Sequence, residues 1–121
     1  MILVTGGAGF IGSVLVEELN KLGNDNVVIV DRLGDTSKWK NIRGKKYSDY
    51  IHADQLFLEE NAPLLDDLKA IFHMGACSST TERDMDYLMN NNFYYSRALF
   101  SLAADLNIPF IYASSAATYG N

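Results

Sequence analysis

Three glycines near the start of the chain have the spacing of a phosphate-binding turn. Gly6, Gly9 and Gly12 follow the apolar run Ile2–Val4 and lead into a segment whose apolar residues recur at helical spacing. The first glycine lets the chain turn off a strand, the second lets a pyrophosphate approach the backbone, and the third lets the helix pack closely. The N-terminal amides of that helix would face the phosphates. The stretch therefore predicts a strand, turn and helix that bind a dinucleotide.

An acidic residue follows at the position that an adenosine ribose would need. Asp31 lies about 20 residues after the glycines, at the end of a second apolar run, and its carboxylate could accept two ribose hydrogen bonds, which favours NAD. Arg32 comes next and Lys38 lies in the following loop; two cations there would suit the 2′-phosphate of NADP. The alternative for both cations is a solvated loop. These residues alone leave the choice between NAD and NADP open.

Two later strand exits and one helix carry further candidate residues. Gly75 and Ala76 are small enough to let a cofactor lie against the backbone, and the last apolar run exits into Ser114 and Ser115. Asn90–Asn92 falls in the middle of a long helical pattern, where asparagine is unfavourable, so we expect one or two of these amides to face the cofactor. Ligands bind beyond the carboxyl ends of parallel strands. We therefore predict one shared site.

The histidines and the single cysteine do not form a metal-binding pattern. His52, His73 and Cys77 lack the spacing of metal ligands, so no metal site is predicted. We interpret His73 as a packed core histidine and Cys77 as a small buried residue.

The order of apolar runs predicts an α/β fold with a doubly wound parallel sheet of the Rossmann type, as one dinucleotide-binding domain over residues 1–121 that stops after a fifth strand. Gly23 is predicted as a helix C-cap, and residues 85–106 are predicted to form one long helix. Trp39 could cover the adenine site or cap the core, and we favour the core. Ile11 is placed on the apolar face of the first helix. The predicted strands are Ile2–Val4, Val27–Asp31, a short one within Tyr47–Ala53, Ala70–Ala76 with its exit, and a buried Phe110–Ala113.

Composition narrows the classes of partner. Ten basic and 15 acidic residues give a net charge of -5, which argues against nucleic-acid binding. The sequence lacks an apolar run of the length of a membrane span, so we expect no membrane partner. One cysteine among 121 residues fits a reducing compartment, and we expect a cytoplasmic protein.

Three segments carry a resemblance to a known family. VTGGAGFIGS resembles the extended short-chain dehydrogenase/reductases, and GACSSTTE and YASSAATYG are similar to the more specific family of ADP-L-glycero-D-manno-heptose 6-epimerases. The resemblance implies NADP-dependent redox epimerisation at C6 of a nucleotide-activated heptose for lipopolysaccharide core synthesis. Bound NADP would take a hydride from C6 and return it to the other face. It also implies a homo-oligomer for full-length members. The alternatives are another nucleotide-sugar epimerase or 4,6-dehydratase, and a non-catalytic nucleotide-binding module.

The same resemblance assigns roles to single positions. It implies one catalytic residue here, Ser115, whose hydroxyl would polarise the reacting oxygen. The family position near Ala53 often holds a second lysine but is not basic in this chain, so weaker binding of the 2′-phosphate is expected. The cofactor-binding positions are Gly6, Gly9, Phe10, Ile11 and Gly12 for the phosphates, Asp31, Arg32 and Lys38 for the ribose and its 2′-phosphate, Met74, Gly75, Ala76, Cys77 and Ser78 for the nicotinamide side, and Asn91 or Asn92 on the helix.

One family feature is missing from the sequence. Such enzymes use a Tyr-x-x-x-Lys pair after the serine, but Tyr112 and Tyr119 lack a lysine four residues on. We therefore expect this chain to be the cofactor-binding part of an epimerase without its substrate domain, and not to turn over alone. We also expect an exposed apolar sheet edge and face.

Overall fold

The computed structural model describes residues 1–32, 37–74 and 85–112, without the side chains of 37–38 and 85–93. Its strands are β1 (Ile2–Thr5), β2 (Val27–Asp31), β3 (Asp49–His52), β4 (Ala70–His73) and β5 (Phe110–Tyr112). Its α-helices are α1 (Phe10–Lys21), α2 (Ala62–Asp66) and α3 (Met85–Leu106), and short 3-10 helices cover Ser37–Asn41, Ala53–Gln55 and Glu59–Asn61.

The five strands form one parallel sheet in the order β3-β2-β1-β4-β5. β1 lies at the centre, where Val4 pairs with Ile29 of β2 on one side and with Phe72 of β4 on the other. The chain therefore builds one half of the sheet outward from β1 to β3, then returns to the other side of β1. This order confirms the predicted doubly wound parallel sheet.

Each face of the sheet has its own apolar core, because successive strand residues point to opposite faces. Leu3, Val28 and Ile71 pack on one face with Leu99 of α3 and other residues, whereas Val4 packs on the opposite face. The remaining members on that opposite face are Ala8, Val16, Leu19, Val27, Ile29 and Ile42. Helices thus cover both faces of β1 and β2, which explains why these strands are almost uniformly apolar.

Gly23 ends α1 in the manner expected of a helix C-cap. Its φ is 93°, its N–H donates to the carbonyl of Asn20 (2.9 Å), and the N–H of Asn24 donates to the carbonyl of Leu19 (2.8 Å). These two bonds form a Schellman motif, in which glycine adopts a left-handed conformation that other residues enter with strain. The motif directs the chain from α1 into β2.

The β5 edge differs from its prediction. We expected a buried strand, but 40% of Ile111 and 49% of Tyr112 are exposed, and the exposed Phe100 of α3 packs on Phe110 of this strand. Within the described residues β5 pairs with β4 alone. The prediction of a buried strand was therefore wrong for these two residues. The expected exposed apolar sheet edge is present.

α3 spans the predicted residues, with Asn90–Asn92 inside the helix and their side chains outside the described part. Neither α3 nor another helix of the described residues has the length and apolar character needed to cross a membrane.

Candidate dinucleotide-binding site

The strand order brings three chain segments to one edge of the sheet. β1 ends at Thr5, β2 at Asp31 and β4 at His73, so the glycine loop, Arg32 and Met74 all follow carboxyl ends of adjacent strands. The N–H of Met74 donates to the carbonyl of Thr5 (3.1 Å), which fixes the exit of β4 beside the start of the glycine loop. Ligands of open α/β sheets bind at such an edge.

Several predicted site residues lie outside the part that the structure describes. These are Gly75, Ala76, Cys77, Ser78 and Ser115, together with the side chains of Lys38, Asn91 and Asn92. The structure therefore places the predicted phosphate and ribose positions, and Met74 of the predicted nicotinamide side.

The glycine loop and the start of α1 pack so tightly that Gly7 and Gly12 leave no room for a Cβ. Gly6 has φ of 68°, and its carbonyl accepts the N–H of Gly9 (3.0 Å). A Cβ on Gly12 would lie 2.0 Å from the oxygen of Gly6, and one on Gly7 would lie 2.8 Å from Cγ2 of Ile29. Helix α1 thus starts directly against the loop, as the glycine spacing predicts. The close packing of Gly7 on β2 was not predicted, because the spacing rule does not include it.

The N-terminus of α1 is open at this edge. Gly9 is its N-cap, with extended backbone (φ -75°, ψ 176°) and no side-chain cap, and no acidic residue occupies the first turn. The first amides of an α-helix have no acceptor within the helix and carry partial positive charge. Phe10 and Ile11 are 76% and 65% exposed, so the prediction of Ile11 on the apolar face is wrong. Exposed first-turn amides suit a pyrophosphate.

Asp31 holds the glycine loop from the end of β2. Its Oδ2 accepts the N–H of Ala8 (3.0 Å) and its Oδ1 accepts the N–H of Arg32 (2.7 Å), and the residue is buried. The sequence predicted ribose binding for this carboxylate and did not predict a bond to the loop. A carboxylate offers about four acceptor positions, so loop bonds are compatible with a ribose. Asp31 therefore has a structural role at the site.

Asn41 holds the same peptide segment from the other side. Its Nδ2 donates to the carbonyl of Ala8 (2.8 Å), so the N–H and the C=O of Ala8 are both bonded to side chains from elsewhere in the chain. Sequence reasoning gave Asn41 no role. Local pattern offers no signal for it, because the two partners are 33 residues apart.

The ribose-side cation is paired with a carboxylate. Arg32 Nη1 contacts Asp54 Oδ1 just beyond β3, and both side chains are more than half exposed. Tyr50 of β3 donates its hydroxyl to the carbonyl of Asp31 (2.8 Å). Tyr50 thus supports the end of β2 from the neighbouring strand.

His73 forms a buried polar link at the end of β4. Its Nδ1 lies 2.6 Å from Thr5 Oγ1, its Nε2 lies 2.7 Å from Ser96 Oγ, and its ring stacks on Tyr112 at 5.4 Å between centroids. Burial lowers the pKa of His73 from 6.5 to about 4, so the ring is neutral at pH 7. The prediction of a packed core histidine is confirmed.

Trp39 does not occupy the core to which it was assigned. It is half exposed, with Lys40 Nζ 5.9 Å and Arg43 Cζ 5.4 Å from its ring centroid. Such cation–π contacts are typical of surface aromatics. The prediction for Trp39 was therefore wrong.

Two shallow depressions of about 330 and 400 Å³ lie away from this edge. The larger is lined by Met1, Ile2, Lys69 and residues 23–26, which precede β1, β2 and β4 or begin β1. They lie toward the amino ends of the strands, whereas ligand sites of this fold lie at the carboxyl ends. The candidate site is therefore placed at the glycine loop and α1, and not in either depression.

The fold and loop define an α/β domain of the Rossmann type. Residues 2–121 match the sequence profile of the NAD dependent epimerase/dehydratase family. The chain belongs to this family.

The relatives are more specific than the family. An ADP-L-glycero-D-manno-heptose-6-epimerase of Fusobacterium nucleatum is 52% identical, over 99% of this chain and 36% of that protein. Proteins of the same name from Nitratidesulfovibrio vulgaris (51%, over 100% and 38%) and Alkalilimnicola ehrlichii (54%, over 99% and 38%) are similarly close. The chain thus spans less than two fifths of the length of these relatives.

Solved structures share the fold. The ADP-L-glycero-D-manno-heptose-6-epimerase of Helicobacter pylori superimposes with a TM-score of 0.77 at 33% identity, over 99% of this chain and 40% of that one. The UDP-glucuronic acid 4-epimerase of Bacillus cereus, in complex with NAD, gives 0.76 at 30% identity, over 99% and 41%. Both likenesses cover the whole sheet described above.

Proposed function

We propose that this chain is the cofactor-binding part of an NADP-dependent ADP-L-glycero-D-manno-heptose 6-epimerase. The observation that carries the proposal is the uncapped N-terminus of α1, which packs so closely on the glycine loop that no Cβ fits at Gly12. Exposed first-turn amides provide a site for a pyrophosphate. The named relatives at 51–54% identity support the choice of enzyme.

The described residues fit a nicotinamide dinucleotide. The first-turn amides at Phe10 and Ile11 would hold the pyrophosphate, while Asp31 and Arg32 would face the adenosine ribose. When bound, the cofactor supplies the acceptor and donor of a hydride. Asp31 and Asn41 fix the loop at Ala8, so the amides keep their positions before a ligand arrives.

The proposed sugar substrate is inferred from the sequence identity to the named relatives, and the fold does not distinguish between sugars. The heptose epimerase of Helicobacter pylori and the glucuronate epimerase of Bacillus cereus superimpose about equally well, at TM-scores of 0.77 and 0.76. The sheet is therefore common to enzymes with different sugars. We include in the proposal an ADP-heptose substrate, Ser115 as a catalytic residue, a role in lipopolysaccharide synthesis, a cytoplasmic location and a homo-oligomeric full-length protein.

NADP is proposed over NAD because the resemblance to the heptose 6-epimerases implies NADP, and a guanidinium that suits a 2′-phosphate follows directly after Asp31, the proposed ribose ligand. Arg32 is 53% exposed at the end of β2, where it could pair with a 2′-phosphate. NAD is the alternative, supported by the family description and by the NAD bound to the Bacillus cereus enzyme.

Calorimetric titration of the chain with NADP and with NAD tests dinucleotide binding. The matched variants are Ile11→Glu and Ile11→Gln, at an exposed first-turn position of α1. The added carboxylate should repel the pyrophosphate and weaken binding at least about tenfold, while the neutral variant keeps most of the affinity. Because a carboxylate stabilises a helix N-terminus, Ile11→Glu should fold at least as well as the parent chain.

Two results would contradict the cofactor proposal. Failure of the parent chain to bind either dinucleotide is one, and equal binding by the Ile11→Glu and Ile11→Gln chains is the other. A separate assay of the purified chain with ADP-heptose and NADP should give no epimerisation, since the sequence lacks a Tyr-x-x-x-Lys pair. Steady epimerisation would show that other residues supply the acid and base.

A further inference from the structure

Asp54 lies where β2 and β3 end side by side. Asp31 pairs in register with His52, and the chain then enters the 3-10 helix Ala53–Gln55 that carries Asp54. This register places Asp54 next to Arg32, the residue after Asp31. Arg32 Nη1 contacts Asp54 Oδ1, with 53% and 64% of the two side chains exposed. The pair therefore remains accessible to a ligand at this edge.

The turn that carries Asp54 is fixed from two sides. His52 Nδ1 accepts the N–H of Asp54 (3.1 Å), and the hydroxyl of Tyr95 on α3 donates to the carbonyl of Ala53 (3.0 Å). Burial raises the pKa of the Tyr95 phenol well above its ordinary value, so the phenol keeps its donor proton at neutral pH. The backbone that carries Asp54 is thus held beside Arg32 by the fold and not by the ion pair alone.

We propose that Asp54 is a specificity-determining residue that limits the preference of this site for NADP by holding Arg32. The inference rests on the proposed function, because it concerns the same cofactor. A 2′-phosphate must compete with the Asp54 carboxylate for the guanidinium and also lie near that negative charge. The 2′-hydroxyl of NAD is uncharged, so it meets neither cost. Asp54 therefore acts on the difference between the two cofactors.

The same ion pair could also act in the opposite sense, by raising the preference for NADP. Arg32 has five N–H donors, and Asp54 contacts it at Nη1, so the carboxylate could instead orient the remaining donors toward a phosphate. Orientation would make Asp54 favour NADP, whereas competition makes it disfavour NADP. The sign of the change on neutralising Asp54 distinguishes the two.

Asp54→Asn tests the sign, because it keeps the shape and removes the charge. Calorimetry with NADP, NAD, adenosine 2′,5′-bisphosphate and AMP should show tighter binding of the two 2′-phosphorylated ligands, by up to about fivefold, and changes below about twofold for the others. The gain should shrink with added salt, since the pair is exposed. Asp66→Asn, an exposed carboxylate on α2, is the control with the same charge change and no expected effect.

A double-variant cycle tests the route through Arg32. Arg32→Gln should weaken NADP binding, and Asp54→Asn added to it should give a smaller gain than in the parent chain. Weaker NADP binding by Asp54→Asn, or equal changes for NADP and NAD, overturns the role of Asp54. An undiminished gain in the Arg32→Gln background overturns the route through Arg32. If the parent chain binds neither dinucleotide, the proposed function fails, and this inference fails with it.

Discussion

The two sides of β1 differ in how fully the described chain covers them. On the β2 side all five strand residues are buried, and Asp31 and Asn41 hold the glycine loop. On the β4–β5 side, Ile111 and Tyr112 are exposed, and His73 is the buried polar residue that links the strands to α3. One β-α-β unit and the next strand are thus enough to build the glycine loop and the side chains that hold it. The β4–β5 side also has an apolar core, but its edge strand β5 is exposed among the described residues.

The largest effect is expected where the glycine loop meets α1. Gly12→Ala would place a Cβ 2.0 Å from the oxygen of Gly6, which is backbone and cannot rotate away. The loop or helix must shift, and we expect a loss of about 3 kcal/mol in the free energy of unfolding. Urea denaturation followed by circular dichroism measures it.

Gly23→Ala is the matched control, at the other end of the same helix. A Cβ there meets nothing within 4 Å, but the φ of 93° is unfavourable for alanine. Only backbone strain is added, and a loss of about 1 kcal/mol is expected. Equal losses for the two variants would show that the contact with Gly6 does not limit the packing of α1.

On the β4–β5 side, we predict that the free energy of unfolding depends on pH through His73. His73 has a pKa of about 4 in the folded chain and an ordinary value of 6.5 when unfolded, because burial disfavours the charged ring. Between these values the unfolded chain binds the proton and the folded chain does not. Stability is therefore complete above pH 6.5 and falls as the pH drops to about 4, by at most about 3 kcal/mol.

The difference between the parent chain and His73→Gln isolates this histidine. The amide of glutamine retains hydrogen bonding toward Thr5 and Ser96 but does not titrate, and His52 and the carboxylates remain in both chains. Urea midpoints measured from pH 7.5 to pH 4 should converge at low pH. Parallel curves across this range would mean that burial of His73 does not set the pH dependence.

Sequence reasoning succeeded where the determinants are local. Gly6, Gly9 and Gly12 lie within seven consecutive residues, so their spacing alone indicates the turn and the close approach of α1. The capping role of Gly23 is similarly local, and the apolar runs give the strands of a parallel sheet. The turn after β1 and the start of α1 were therefore predictable from residue type and spacing.

Sequence reasoning failed where the determinants depend on neighbours distant in the chain. An apolar strand such as β5 looks the same at an edge as in the centre, because its composition does not say what covers it. Trp39 has a large apolar side chain of the kind found in cores, but it is half exposed. The bonds from Asp31 and Asn41 to Ala8 span 23 and 33 residues, and no local pattern encodes them.

The smallest expected effect on stability comes from two asparagine variants, which together separate positioning of the glycine loop from general destabilisation. Asn41→Ala removes the donor to the carbonyl of Ala8, and Asn61→Ala removes an equivalent donor to the carbonyl of Gln55, away from the site. Each should cost about 1 kcal/mol in the free energy of unfolding. Only Asn41→Ala should also weaken dinucleotide binding in calorimetry, by about threefold to tenfold, because the glycine loop must then be ordered by the ligand. If the two variants bind the dinucleotide equally well, Asp31 alone is sufficient to hold the loop, and the β2 side owes its preorganisation to one residue and not to two.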